Sequence, residues 1–303
     1  MNIKNLFLYF LFSLFFSVSE SFFMNTIKNS GIYYNHNVKS LSSKPCCLKK
    51  PNYIVNYNKH NLRLEYNNIT DYYYDNNYLS NKKIVNISPA GLKGFYEMGI
   101  CTYIKEHYNT DNYVFSGASA GAWNSLLMSY KGNIVNFKKL IFNIDFDNIK
   151  SIYHLQLILK EKLLNNFVSE DFDFKKMFIG VTIFEKLQFK NYIFTDFDSL
   201  EDAIDCIIAS SNIPFLTGKL ILKYRNKICF DGGFSKDPFI HHPSNNILIH
   251  PELYQNILDY ENMNIVDFDL LDVDYKQLIK LFEQGYSDSI KYDSFIKKNI
   301  IQS

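Results

Sequence analysis

Two strand–turn–helix units follow each other almost without a spacer, and small residues form both turns. Residues 83–88 (KIVNIS) are a short β-branched run that stops at Pro89-Ala90-Gly91-Leu92-Lys93-Gly94. Residues 95–107 then resume with helical spacing, with Phe95, Met98, Gly99, Thr102 and Tyr103 on one face. Residues 112–116 (NYVFS) read as strand, Gly117-Ala118-Ser119-Ala120-Gly121 as a turn, and residues 122–130 as helix. Alternating strands and helices place the chain in the α/β class. The first turn aims unpaired backbone N–H groups and the positive end of a helix dipole at one spot, which suits a phosphate or an oxyanion. A glycine kept for steric reasons alone is the plain alternative. The second turn is G-x-S-x-G, in which a sharp bend pushes the central serine into a strained conformation and small flanking residues avoid strand and helix. Ser119 is therefore the candidate nucleophile. Trp123, one helical turn later, reads as core packing beneath the bend.

A serine hydroxyl needs a proton acceptor within hydrogen-bond reach, and the sequence offers two. One is a histidine in the order Ser, Asp, His, for which His241, His242 and His250 lie late enough in the chain. The other is a carboxylate acting directly. Asp231 stands at the exit of the strand expected over residues 227–230, followed by Gly232 and Gly233. Only ten residues separate Asp231 from His241, which disfavours a triad.

The rest of the chain narrows the function classes. A hydrophobic content of 47% supports a packed core, and Lys+Arg 32 against Asp+Glu 31 leaves no field for a phosphate backbone, so nucleic acid is not an expected partner. The five cysteines show no CxxC or zinc spacing, and Cys101, Cys206 and Cys229 sit in apolar sequence as small buried hydrophobes. No metal or cofactor is implied, since no acidic cluster has ligand spacing. At the start, Lys4 precedes the apolar run 6–16 and then Ser17, Ser19 and Ser21, which reads as a signal peptide over residues 1–21. A retained anchor is the alternative. Residues 22–81 form a basic, Asn/Ser/Tyr-rich leader or linker. Seven cations and no acid fall between Ser21 and Leu64, which resembles the second half of a bipartite plastid leader. The expected location is the secretory route, either plastid by that leader or secreted or endomembrane lumen. Residues 82–303 form the folded domain. Within it, residues 177–184 and 191–196 read as paired strands, 200–210 as a helix, and 275–286 as a final amphipathic helix.

Four segments in order resemble the patatin-like phospholipase family: Ala90-Gly91-Leu92-Lys93-Gly94 after a strand, Gly117-Ala118-Ser119-Ala120-Gly121, Ala209-Ser210-Ser211-Asn212-Ile213-Pro214-Phe215, and Asp231-Gly232-Gly233. The resemblance covers residues 82–246. It implies a three-layer α/β/α fold with a central, mostly parallel sheet, and a Ser-Asp dyad in which Ser119 is nucleophile and Asp231 general base. Ala90, Gly91 and Leu92 would supply the oxyanion hole, with Lys93, Gly94, Gly117, Gly121, Gly232 and Gly233 supporting the motifs. One departure stands out. The family usually opens its oxyanion loop with three glycines, whereas this chain has Pro89-Ala90-Gly91, and Pro89 has no N–H to donate. The function implied is lipid acyl hydrolysis of phospholipids or related glycerolipids through an acyl-enzyme, with a membrane lipid or acylglycerol as substrate and peripheral membrane contact. A lipid-binding relative with a degraded oxyanion hole, and a Ser-Asp-His α/β-hydrolase, are the alternatives.

Overall fold

The computed structural model describes residues 76–235, 237–240, 246–254 and 276–301. The expected signal peptide, most of the expected basic leader, Cys46, Cys47, His241 and His242 lie outside them. The first element among the described residues is α1 (Asn76–Ser80), which precedes Lys82, and its Leu79 is fully buried beneath the sheet beside Ile84 and Val114.

The two units read from the sequence are present. Strand β1 (Lys83–Ile87) leads through a one-turn 3-10 helix (Gly91–Lys93) into α2 (Gly94–His107). Strand β2 (Tyr113–Ala118) leads through Ser119 into α3 (Ala120–Ser129), so the strand runs two residues further and the helix starts two residues earlier than expected. Two helices that the sequence reading left unassigned follow, α4 (Ile134–Phe142) and α5 (Ile152–Asn166). The side chains of Asn133 and Ser151 cap them. Then come β3 (Met177–Glu185), β4 (Gln188–Phe194), α6 (Leu200–Ser210), β5 (Leu222–Tyr224), β6 (Lys227–Phe230), β7 (Asn246–Ile249), and the final helices α7 (Lys276–Lys291) and α8 (Asp293–Ile296). No helix among the described residues is long and apolar enough to cross a membrane.

Strands β7, β1, β2 and β3 are mutually parallel neighbours, while β4, β6 and β5 join antiparallel. Period-two alternation sorts the side chains cleanly. Val85, Ile87, Phe115, Met177, Ile179 and Phe194 enter the main core with α2 and α3, whereas Ile84, Val114, Phe178 and Ile193 face the other way onto Leu79 and Ile240. Helical layers flanking a mixed sheet give the three-layer α/β/α fold. Half-buried Trp123 packs against the main core, as expected.

The registers also fix how two distant segments meet. At residues 179–180, β3 pairs with β2 on one edge and β4 on the other, and at residues 182–184 it pairs with β4 and β6. A strand has only two hydrogen-bonding edges. Strand β6 must therefore share the edge of β3 that β2 uses, descending toward it end to end. Ala118 stops opposite Gly180, and Phe230 stops opposite Thr182. The residues that follow each strand, Ser119 and Asp231, arrive at the same junction.

Candidate active site

At this junction the Ser119 hydroxyl donates to Asp231 Oδ2 at 2.6 Å. Ser119 has φ 52° and ψ −122°, a left-handed conformation that a residue with a side chain avoids unless its surroundings enforce it. The enforcement is steric. A Cβ at Gly117 would lie 2.2 Å from the Gly121 carbonyl oxygen, so the two glycines close the bend against each other. Ser119 occupies the position from which a serine ordinarily caps its helix, as Ser199 does for α6. Its side chain makes no such cap and is committed to Asp231 instead.

Asp231 is held from three sides. Its Oδ1 accepts the Gly233 N–H at 2.7 Å, and its own N–H donates to the Asn212 carbonyl at 2.8 Å. Ser119 and Asp231 are only 8% and 4% exposed. Burial raises the carboxyl from its ordinary value to about 6, against the lowering effect of the bonds from Ser119 and Gly233.

The glycine loop lies alongside. A Cβ at Gly233 would sit 3.0 Å from Pro89 Cβ, and one at Gly94 would strike Ala120 Cβ at 2.4 Å. The stretch 89–94 thus runs from the turn that follows Asp231 to the residue that follows Ser119. Within it, Gly91 has φ +55°, Leu92 is buried in the core, and the Ala90 carbonyl accepts the Lys93 N–H. Gly232 fits where a Cβ would meet the Gly180 carbonyl oxygen at 2.2 Å and Ala118 Cβ at 2.8 Å. The residues singled out from the sequence are therefore gathered at one end of the sheet. His250, which follows β7, accepts from the Glu252 N–H.

Sequence reasoning missed the residues that hold this cluster. Ser210 Oγ accepts the Ser119 N–H at 2.8 Å and donates to the Gly180 carbonyl at 2.7 Å, which anchors the bend to β3. Asn212 Nδ2 donates to the Cys229 carbonyl at 3.1 Å, pinning the strand that delivers Asp231. Both lie in the 209–215 segment, whose pattern was visible in the sequence without a role. Beneath the glycine loop, the fully buried Glu97 accepts from Ser88 Oγ at 2.5 Å and faces Asn124 Nδ2 at 3.5 Å, joining α2 to the end of β1 and to α3. A lone glutamate at a helical core position gave no signal for this. Burial raises its carboxyl well above the ordinary range, despite the opposing bonds from Ser88 and Asn124.

A group raised in the folded state stabilises the fold only while it is protonated, and that contribution is lost as pH climbs through its folded value. Glu97→Gln, which stays neutral, is expected to flatten the decline of thermal stability on alkalinisation. Thermal melts of parent and variant across a pH series check this, and superimposable pH curves would exclude a neutral Glu97 in the parent.

A search of curated proteins returns no match for this chain. Among solved structures, VipD from Legionella pneumophila aligns with 55% of the chain at 14% identity and a TM-score of 0.38. That alignment covers 49% of VipD, so the chain spans about half the length of that protein. A family model described as patatin-like phospholipase matches residues 88–242, half of the chain. The matched stretch holds the Pro89 loop, the strained serine, the 209–215 segment and the carboxylate at the strand junction, and on that match this chain belongs to the patatin-like phospholipase family, which implies a lipid acyl hydrolase.

Proposed function

We propose that the protein hydrolyses fatty-acyl esters of phospholipids or related glycerolipids, with Ser119 as nucleophile and Asp231 as its general base. The observation that carries the reading is the short Ser119–Asp231 hydrogen bond, made by a serine that gives up the capping of its own helix to form it. Asp231 accepts the hydroxyl proton as Ser119 Oγ attacks the ester carbonyl. The tetrahedral oxyanion collapses to an acyl-serine, and the alcohol leaves with the proton. Water then attacks the acyl-serine with Asp231 again taking the proton, which releases the fatty acid and restores the enzyme. A carboxylate titrating near its solution value would be a feeble base at neutral pH, whereas one raised to about 6 is closer to the working pH and still ionised there.

The oxyanion is assigned to the backbone N–H groups of Ala90, Gly91 and Leu92. Support comes from the loop's course beside both Gly233 and Ala120, and from the unpaired N–H groups that any helix start presents. Pro89 contributes no donor, and its ring packs toward Gly233. For localisation, the proposal remains entry to the secretory route through residues 1–21.

A fluorophosphonate probe tests the reading directly. Labelling is expected at Ser119, with a rate that rises with pH through about 6 as Asp231 ionises. Peptide mapping after labelling at several pH values reads both. Modification elsewhere with Ser119 unlabelled, or a Ser119 rate indifferent to pH around that value, would overturn the assignment.

A further inference from the structure

We propose that the loop of residues 213–221 and the start of β5 seat the protein on anionic lipid bilayers, with Phe215, Leu220 and Ile221 entering the acyl boundary and Lys219 and Lys223 meeting lipid phosphates. The choice of a bilayer as occupant rests on the lipid-hydrolase reading above, and the surface itself rests on four observations.

The first is position. The loop begins beside the site, because Asn212 accepts the Asp231 N–H, and Phe215 follows three residues later, within roughly 11 Å of chain. The second is exposure. Phe215, Leu220 and Ile221 are 71%, 41% and 52% exposed, and nowhere else among the described residues do three large exposed apolar side chains fall within seven consecutive positions. Clustered exposed apolar groups mark an interaction site where scattered ones do not.

The third is backbone conformation. Phe215 has φ +68°, which is unfavourable for a bulky residue, and the turn beneath it is closed by bonds from the Leu216 and Thr217 N–H groups to the Ile213 carbonyl at 3.1 and 2.9 Å and from the Ile213 N–H to Thr217 Oγ1 at 2.8 Å. An aromatic ring held outward on a strained, well-tied turn gains nothing inside the protein. The fourth is charge. Residues 206–230 contain Lys219, Lys223, Arg225 and Lys227 and no carboxylate. Arg225 bonds to Asp202 and Lys227 lies near Glu185, while Lys219 and Lys223 enter none of the ion pairs formed among the described residues. Apolar tips flanked by free cations complement an anionic membrane surface.

The test is co-sedimentation of the full chain with vesicles of phosphatidylcholine alone or mixed with phosphatidylglycerol, alongside hydrolysis of a soluble short-chain ester. Binding to the mixed vesicles is expected to exceed binding to phosphatidylcholine and to weaken as salt is added. Lys219→Gln and Lys223→Gln should each cost about fivefold on the mixed vesicles. Phe215→Asn should cost about tenfold. Asparagine tolerates a positive φ, so this variant should melt no lower than the parent. Hydrolysis of the soluble ester should be unchanged in all three.

Undiminished vesicle binding would overturn the proposal. So would a lower melting temperature for Phe215→Asn, which would make the ring structural. Loss of a dimer in the variants on sizing would assign the surface to a second copy of this chain and likewise overturn it. If the parent hydrolyses no ester, the hydrolase reading fails, and the sedimentation arms still decide the docking surface.

Discussion

Asp231→Asn is expected to yield a protein that is more stable than the parent at neutral pH and nearly inactive. The ordinary value for such a carboxyl is 3.8, and in the fold burial raises it to about 6. The folded state therefore holds the proton more tightly, and stability declines as pH rises across that window. At neutral pH the ionised carboxylate costs the fold about 3 kcal/mol. Asparagine has the same shape, can still accept the Gly233 N–H, and removes the charge. Its amide cannot take a proton from Ser119, so turnover should fall by roughly 10² to 10⁴. Ser119→Ala removes the nucleophile itself and should cost about 10⁴ or more. Denaturant unfolding and turnover of a short-chain ester, measured on the same preparations, check both halves. An Asp231→Asn protein that is active and no more stable would show that the carboxylate is neither base nor buried charge.

Gly121→Ala is expected to damage both the fold and the site. The added Cβ would lie 2.0 Å from the Ile87 carbonyl oxygen and 2.8 Å from that of Ser88, both backbone atoms at the end of β1. Neither can rotate away, so the helix carrying Ser119 must move off the strand that leads to the glycine loop. Overpacking of this kind costs about 1–3 kcal/mol. A displacement of the nucleophile relative to the loop by about 1 Å can cost a further 100-fold in turnover. Gly91→Ala is the contrast. Nothing lies within 4 Å of its Cβ position, and φ +55° alone should cost about 1 kcal/mol. Melting temperature and kcat of the two variants give the comparison, and equal activities would show that the fit of Gly121 against β1 does not control the site.

The parts of the site that local chemistry dictates were legible in the sequence. Ser119 announced itself because a bend between strand and helix needs small residues at fixed offsets, whereas Asp231 stood at a strand exit as one of two candidate bases and was singled out by the resemblance of its Asp-Gly-Gly segment to the family. What brings them together was not legible. Their meeting depends on β6 sharing an edge of β3 with β2, a register choice made by segments far apart in the chain. Ser210 was in plain view inside an Ala-Ser segment, yet its bond to the Ser119 N–H exists only once α6 lies against β3. Glu97 was hidden for the opposite reason. Nothing in its local sequence sets it apart, and only tertiary packing shows that it is fully buried with Ser88 and Asn124 as partners. The strand pair at 177–184 and 191–196 was recognised, but the turn between them uses Lys186 and Leu187 at positive φ where glycine or asparagine is the usual signal, so β4 starts earlier than expected.

The end-to-end meeting of β2 and β6 makes the proposed activity a late event in the life of the chain. Ser119 and Asp231 are separated by 112 residues, and contacts of such long range form slowly because the intervening loop must first be closed. A growing or clipped polypeptide that stops short of residue 231 can fold the serine bend and still have no base to activate it. Ester hydrolysis then reports that β6 has joined β3, and a protein made or cleaved short of residue 231 would leave the surrounding lipids untouched.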